Sequence, residues 1–298
     1  MNSEEIKKMA KKFGADLIGI AEIAKFASLP PDKHPSSIFP ECKSVIVLAR
    51  RILRGSLRGV EEGTNFSSTY GTFGFRWLED NFIAQTTYDL TCWLEENGVE
   101  AVPLFAYFEE GMPKGVPVCP EKPCPNVIVD FEYAAQVAGL GEIGYGGFFL
   151  TKEFGPRQRF AMILTDFQFE ADQSHKKSIC GDCMACVFAC PLKAYQYAKE
   201  KIKMIDDFSI KYLEPDYELC RVCKNGATVQ PGKGARPDRL GAACVRACIV
   251  QLEKNGKCIN NFKNPFRKRL PWALDIIGRP LDENSEDASN IGCGKKYI

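Results

Sequence analysis

Eight cysteines in the second half of the chain constrain its fold more than any other feature. Four of them lie in the run CGDCMACVFACP, residues 180–191, with the spacing C-x2-C-x2-C-x3-C and a proline directly after the last. In two-cluster ferredoxins the fourth cysteine of such a run ligates the other [4Fe–4S] cluster. The run therefore predicts four more ligands downstream, and the sequence contains them as Cys220, Cys223, Cys244 and Cys248.

The spacing also favours one division of the eight ligands. The segment ACVRAC repeats the C-x3-C spacing that ends the first run, which indicates a pseudo-symmetric pairing. The first cluster is then expected on Cys180, Cys183, Cys186 and Cys248. The second cluster is expected on Cys190, Cys220, Cys223 and Cys244. Gly241 stands where the common ligand order would place a cysteine, so the second half departs from that order.

A zinc site is the main alternative for these cysteines, because C-x2-C with a distant C-x3-C also suits tetrahedral zinc. Zinc would use only four of the eight thiols and would leave the tight run at residues 180–190 unexplained. Disulfides are disfavoured in a cytoplasmic chain. Cys258 lies outside both sets and is predicted to be a single unreactive thiol.

The composition fits a globular protein that can bury a substantial core. The chain has 298 residues, of which 45% are hydrophobic and 26% charged, with a formal net charge of +1. This balance argues against a general nucleic-acid or membrane-surface binder. The N-terminal stretch lacks a signal-peptide pattern, and no segment approaches a membrane-spanning run, so we expect a cytoplasmic protein without membrane contact. The fourteen cysteines then indicate metal or redox chemistry.

Apolar patterning predicts an α+β domain over residues 1–170. Helices are expected near the N-terminus, over residues 73–98 and over FEYAAQVA. Strands are expected over DLIGIAE, SVIVLAR, VEAVPLFA, GFFLT and RFAMILTDF. Dense cysteines and Gly/Pro turns over residues 171–258 predict a small two-cluster ferredoxin-like domain without strands. Residues 259–298 are expected to form a C-terminal extension.

A glycine-rich loop, GLGEIG at residues 139–144, matches the dinucleotide pattern G-x-G-x-x-G. Its context is wrong for that function, because a helix-like stretch precedes it and a strand-like run follows. The loop instead indicates a close approach by a flat cofactor or by a neighbouring strand. Ten residues on, FGPRQRF sets Arg157 and Arg159 on one side of an extended run, where they could bind an anionic group or form ordinary surface ion pairs.

The glycine loop, the G-P-R segment and the cysteine run together resemble the epoxyqueuosine reductases and the corrinoid-dependent reductive dehalogenases. The resemblance extends upstream through IFPECKSVIVLA to FGADLIGIA. It implies a nitroreductase-like, cobalamin-binding-type domain in which two [4Fe–4S] clusters pass electrons to cobalamin. The residues that it assigns to the cofactor are Gly139, Gly141, Gly144, Tyr145 and Arg157.

Departures from these families bear on the substrate. Epoxyqueuosine reductases carry an aspartate, proposed as a proton donor, where this chain has Pro125, fourteen residues before Gly139. Asp130 is therefore the candidate proton donor, with Tyr70 and Glu142 among the alternatives. Those enzymes also continue into helical repeats that hold tRNA, whereas this chain ends fifty residues after its last predicted cluster ligand. A tRNA partner is accordingly disfavoured.

Two functions follow from these observations. The first is a reductive enzyme that takes electrons from a low-potential donor of the ferredoxin or flavodoxin type and acts on a small-molecule or corrinoid substrate. The second is a cluster-only electron-transfer protein that reduces a partner such as a corrinoid protein. An RNA-modifying enzyme is a third hypothesis, based on the family likeness and on the short basic stretch FRKRLPW.

Overall fold

The computed structural model describes residues 1–105, 115–176, 178–228 and 236–281. The helices are α1 (Ser3–Lys12), α2 (Arg58–Glu61), α3 (Ala84–Glu96), α4 (Phe131–Val137), α5 (Ala185–Phe188), α6 (Tyr217–Arg221) and α7 (Ala243–Lys254). The strands are β1 (Leu17–Glu22), β2 (Ser44–Arg51), β3 (Ala101–Phe105), β4 (Glu142–Ile143), β5 (Phe149–Leu150), β6 (Gln158–Thr165), β7 (Glu200–Ile205) and β8 (Phe208–Leu213). The fold is mixed α/β. Within the described ranges, no helix combines the length and the apolar character needed to cross a bilayer.

The N-terminal half is built on a four-stranded antiparallel sheet with the strand order β1–β2–β6–β3. Ile46 of β2 lies opposite Ile20 of β1 and Ile163 of β6. Because alternate residues of a strand point to opposite faces, Ile46 packs with α1 and α3, whereas Val47 packs with α4 on the other side. Both faces of the central strands are thus covered, which explains the nearly continuous apolar sequence of β2.

The long helix predicted over residues 73–98 is regular only in its second half. Wide π-helical turns occupy Ser67–Arg76 and Leu78–Ile83, and they lead directly into α3. Gly74 lies in the first of these turns, where a Cβ atom would come within 2.5 Å of the Tyr70 ring. The wide turns therefore seat the Tyr70 ring against the backbone, a packing that helical periodicity alone does not reveal.

The prediction that no strands follow residue 171 is wrong. Strands β7 and β8 form an antiparallel hairpin in which Ile205 lies opposite Phe208. Asp206 in its turn has a positive φ of 51°, a conformation that Asp tolerates better than most residues. Ile202 and Met204 of β7 are exposed, so the apolar residues of this strand do not mark a single buried face, although Ile205 and Phe208 at the turn pack against the core.

Helix α7 joins the two halves of the chain. Its residue Ile249 shares a buried core with Ile52, Leu57 and Tyr70 from the N-terminal half and with Phe266 from the C-terminal segment. Below this core, the buried carboxylate of Glu61 binds two buried arginines, Arg246 Nε at 2.7 Å and Arg267 Nε at 2.6 Å. The basic stretch FRKRLPW is thus partly folded into the body of the protein.

Candidate metal centres and an adjoining cavity

The first predicted cysteine set converges beside α5 and α7. Cys180, Cys183 and Cys186 lie along a loop that also contains Asp182 and Met184. Both of these residues have a positive φ, and this conformation curls the run. Cys248 approaches from α7 and lies within electrostatic range of the other three thiols. Cys186 and Cys248 are buried in one core, with Cys180 packed against it.

The second predicted set surrounds a small cavity lined almost entirely by apolar atoms. Cys220 lies on α6 and Cys244 on α7, while Cys190 follows α5 and Cys223 follows α6. A tetrahedral zinc site would need its sulfur atoms within roughly 4 Å of one another, given a Zn–S bond of about 2.3 Å. Among the described residues, no three His, Cys, Asp or Glu side chains converge as a single metal ion would require. All four cysteines of the second set line one cavity, an arrangement that suits a cluster with one iron per thiolate.

Backbone amides donate to several of these sulfur atoms. The N–H groups of Tyr145 and Asn225 lie 3.4 Å from the Sγ atoms of Cys180 and Cys223, respectively. The Ala194 N–H group lies 3.3 Å from the Cys190 Sγ atom. Such N–H···S contacts help to set the reduction potential of an iron–sulfur cluster.

Burial keeps the uncomplexed thiols protonated. It raises the pKa of Cys186 to about 12 and the pKa of Cys220 to about 11, and it also raises the pKa values of Cys244 and Cys248. Because iron binds the thiolate, cluster assembly must release these protons. The buried sets are therefore suited to hold a bound metal group and poorly suited to act as reactive free thiols.

Gly146, two residues after the GLGEIG loop, lets the chain pass close to the first cysteine set. A Cβ atom at this position would lie 2.6 Å from the Cys186 Sγ atom and 2.8 Å from the Phe148 ring. We expect Gly146→Ala to displace Cys186 and to lower the iron and sulfide bound per chain after anaerobic reconstitution. Gly55→Ala is the matched control, because nothing lies within 4 Å of the added atom there. Equal iron contents in the two variants would contradict this prediction.

A cavity of about 230 Å³ lies between the N-terminal sheet and the second cysteine set. Its walls include Glu79, Arg159 and Phe160 on the sheet side and Tyr217, Asp238 and Arg239 on the other side. Arg239 also lines the cavity enclosed by the second cysteine set. The Arg239 side chain therefore lies at the boundary between this candidate active site and a candidate metal centre.

A buried polar network forms one end of this cavity. Arg159 Nη2 donates to Asp238 Oδ2 at 2.9 Å, and Arg159 Nη1 lies 3.2 Å from Glu79 Oε1. The Tyr70 hydroxyl donates to the same Asp238 oxygen at 2.5 Å. Burial raises the pKa of Glu79 to about 7, although Arg159 opposes the shift. Glu79 can therefore hold or release a proton near neutral pH.

Glu79→Gln is expected to change how the stability of the protein depends on pH. The folded-state pKa of about 7 lies above the usual value of 4.5, so this stabilising protonation is complete below pH 4.5 and is lost as the pH rises through 7. When the pH rises from about 5 to about 8, the free energy of unfolding of the wild type should fall by roughly 1–3 kcal/mol relative to that of Glu79→Gln. Denaturant unfolding of both proteins at these two pH values tests this, and an unchanged difference between them would contradict it.

Asp130, the candidate proton donor, caps a helix in the structure. Its carboxylate accepts the Tyr133 N–H bond at the start of α4 and forms an ion pair with Lys203 of β7. Burial would raise the pKa of Asp130, but the Lys203 charge and these hydrogen bonds more than offset it and lower the pKa. This environment favours the carboxylate form, which has no proton to donate. Its neighbour Glu132 lies in the cavity wall, and burial raises its pKa.

The glycines of the GLGEIG loop pack closely against other segments of the protein. A Cβ atom at Gly141 would lie 2.0 Å from the carbonyl oxygen of Leu150, and one at Gly144 would lie 2.8 Å from the Leu150 side chain. Gly139 has a φ of +80° and packs against the carbonyl oxygen of Gln173. Of the two approaches that the loop could have served, the contacts of Gly141 and Gly144 match the one by a neighbouring strand, β5.

The other two residues assigned to the corrin also lie apart. Tyr145 borders an open concavity beside Cys180, and Gly139 lines an adjoining one that shares His175 and Lys176 with it. Arg157 is buried, and its guanidinium donates to the Ile52 carbonyl and to Asn260, each at 2.9 Å. Gly141, Gly144 and Arg157 are thus occupied by contacts within the protein, and these three residues do not fit a corrin-binding surface.

Comparisons with known proteins were made at the levels of sequence and fold. The chain is 35% identical to tetrachloroethene reductive dehalogenase from Desulfitobacterium hafniense over 109 residues, or 36% of this chain and 18% of that protein. It is 39% identical to epoxyqueuosine reductase from Lactococcus garvieae (strain Lg2) over 69 residues, or 23% of this chain and 19% of that enzyme. The chain is related to both families. The matched segments thus span less than a fifth of each of these relatives.

A solved reductive dehalogenase, described in terms of B12-dependent dehalogenation, shares the fold. It superposes with a TM-score of 0.56 and 18% sequence identity, and the match covers 85% of this chain and 33% of the dehalogenase. No family model matches the chain. The dehalogenase likeness thus extends over most of the described fold, and the relatives are considerably longer than this chain.

Proposed function

We propose that the chain is a reductive oxidoreductase that carries electrons through two [4Fe–4S] clusters to an acceptor in the cavity beside Arg159. The observation that supports this proposal best is the grouping of the eight cysteines into the two sets that their spacing predicts. In this proposal residues 1–170 form a nitroreductase-like acceptor domain, residues 171–258 a two-cluster ferredoxin-like domain and residues 259–298 an extension. The relationship to two reductase families supports the reductive direction.

The protein's own residues would divide the work of such a reduction. The eight thiolates would hold the clusters, which when bound supply one-electron carriers. Arg159 and Asp238 hold each other in place at the end of the cavity, and Phe160 in its wall excludes water. Glu79, with its pKa near 7, would supply the proton that a reduction requires.

Cobalamin is the candidate acceptor that the fold similarity favours. Its binding would need residues other than Gly141, Gly144 and Arg157, since these three are buried in contacts within the protein. The cavity of about 230 Å³ is also smaller than the roughly 300–1,000 Å³ typical of drug-sized ligand sites, and a corrin exceeds a drug-sized ligand. The alternative function, a cluster-only electron-transfer protein, requires no organic cofactor at all.

Anaerobic reconstitution tests these functions. The full chain is supplied with iron, sulfide and cobalamin, passed through a desalting column and analysed for metals, sulfide and visible absorption. We expect about eight irons per chain, as two [4Fe–4S] clusters require, and reduction by a low-potential ferredoxin or flavodoxin. Four or fewer metals, identified as zinc, would contradict the oxidoreductase proposal. Eight irons without retained corrinoid would remove cobalamin and leave the cluster proposal standing.

A further inference from the structure

Arg239 lies between the two cysteine sets and the candidate active site. Its side chain is buried at the boundary shared by the cavity of the second set and the larger cavity beside Arg159. The guanidinium charge acts on three thiols of the second set, those of Cys190, Cys220 and Cys244. In the first set it acts on the thiol of Cys186.

Neutral groups fix the guanidinium in this position. It donates to the carbonyl oxygens of Gly146 and Gly147 at 3.3 and 2.6 Å and to the Tyr195 hydroxyl at 2.7 Å. The aromatic rings of Phe148 and Tyr217 flank it at 5.6 and 5.7 Å. None of these partners carries a negative charge.

The nearest carboxylate along the chain, Asp238, is already engaged elsewhere. It accepts hydrogen bonds from Arg159 and from the Tyr70 hydroxyl. Within the described ranges no carboxylate forms an ion pair with Arg239. Glu132, in the wall of the same cavity, feels the Arg239 charge but forms no ion pair with it in the described ranges. The Arg239 charge also acts on the cysteine sets, and a buried charge acts strongly over such distances.

We propose that Arg239 is the counter-charge of the second cluster and raises its reduction potential above that of the first. This inference rests on the proposed function, because it requires both clusters to be present. Adding an electron makes a cluster more negative, so a buried cation beside it stabilises the reduced form more than the oxidised form. Since the cation is in range of three second-set thiols, the electron would reside on the cluster next to the cavity.

The test is a redox titration of the reconstituted full-length protein followed by electron paramagnetic resonance. Arg239→Gln should lower the midpoint potential of the second cluster. The ratio of reduced to oxidised second cluster should fall at least tenfold at a fixed potential, which is about 59 mV for a one-electron couple. The first cluster should change less. Cys220→Ser, which alters one second-set thiolate, identifies the signal that belongs to the second cluster.

Two further variants separate charge from hydrogen bonding. Arg239→Lys keeps the charge but lacks the forked geometry. At a fixed potential its ratio of reduced to oxidised second cluster should stay within about threefold of the wild-type ratio. Tyr195→Phe removes one hydrogen-bond partner of Arg239 and leaves the charge, so its potential should match the wild type. Equal shifts in Arg239→Gln and Arg239→Lys, or no shift in either, would overturn the proposal.

Failure of the inference and failure of the proposed function give different results. A wild-type protein that binds no iron–sulfur cluster would remove the function and the inference together. A wild type with two clusters whose potentials do not respond to Arg239→Gln would remove the inference alone. If Arg239→Gln loses iron, Arg239→Lys and Tyr195→Phe still decide, because any downward shift in both would show that charge is not the cause.

Discussion

Replacing Cys248 with alanine is expected to remove one of the two clusters and leave the other. Cys248 lies on α7 among Cys180, Cys183 and Cys186, and it is far along the chain from them. Iron per reconstituted chain should therefore fall from about eight to about four. Iron and sulfide analysis measures this loss, and electron paramagnetic resonance of the reduced protein should show one remaining cluster.

Cys258→Ala is the matched control for this experiment. Cys258 is also buried in the core that holds Cys248, and burial raises its pKa to about 11, but it belongs to neither set. We expect this variant to retain about eight irons. Loss of iron from Cys258→Ala together with full iron in Cys248→Ala would show that the division of ligands is wrong.

The second large effect is expected for Glu61→Ala. This carboxylate, with a side chain only 4% exposed, binds the buried guanidinium groups of Arg246 and Arg267. Its removal leaves two cations buried without a counter-charge, and breaking a buried ion pair in this way costs about 3–5 kcal/mol. We expect the free energy of unfolding to fall by that amount in anaerobic denaturant titrations followed by circular dichroism.

Its neighbour Glu62 provides the comparison. Glu62 pairs with Arg58 and with the exposed Arg269, and its own side chain is 23% exposed. Glu62→Ala should cost at most about 1 kcal/mol, because surface ion pairs contribute little. Similar losses in the two variants would show that the buried pairs do not join the two halves in the way described.

The candidate metal centres were open to prediction from sequence because their signal is local. Short spacings within the run at residues 180–191 limit which thiols can reach one cluster, and the count of downstream cysteines supplies the rest. The central strands were also predictable, since β2 is buried on both faces over residues 45–49, which are all apolar. The β7–β8 hairpin escaped prediction because apolar residues of β7, Ile202 and Met204, are exposed, so the strand lacks a clear apolar and polar alternation.

The cavity could not have been found in this way. Glu79, Arg159 and Asp238 come from three distant segments, and each alone resembles an ordinary surface charge. The G-P-R segment drew attention to Arg157 and Arg159 together, but only Arg159 faces the cavity. The one available hint for Arg239 was its position in PDRLGAAC, five residues before a predicted ligand. Tertiary packing, which spacing does not encode, brings these residues together.

The candidate active site has two walls of different origin. Glu79 and Phe160 belong to the wall built by the sheet and its wide helical turns, whereas Asp238 and Arg239 belong to the segment that precedes Cys244. In the proposed function, changes in the first wall should alter which molecule fits, because Glu79 and Phe160 do not line the cavity of the second cysteine set. Changes in the second wall should alter the proposed reduction potential as well, because Arg239 lines both cavities. Laboratory evolution toward a new substrate should therefore accumulate substitutions on the sheet side, where selectivity can vary without loss of driving force.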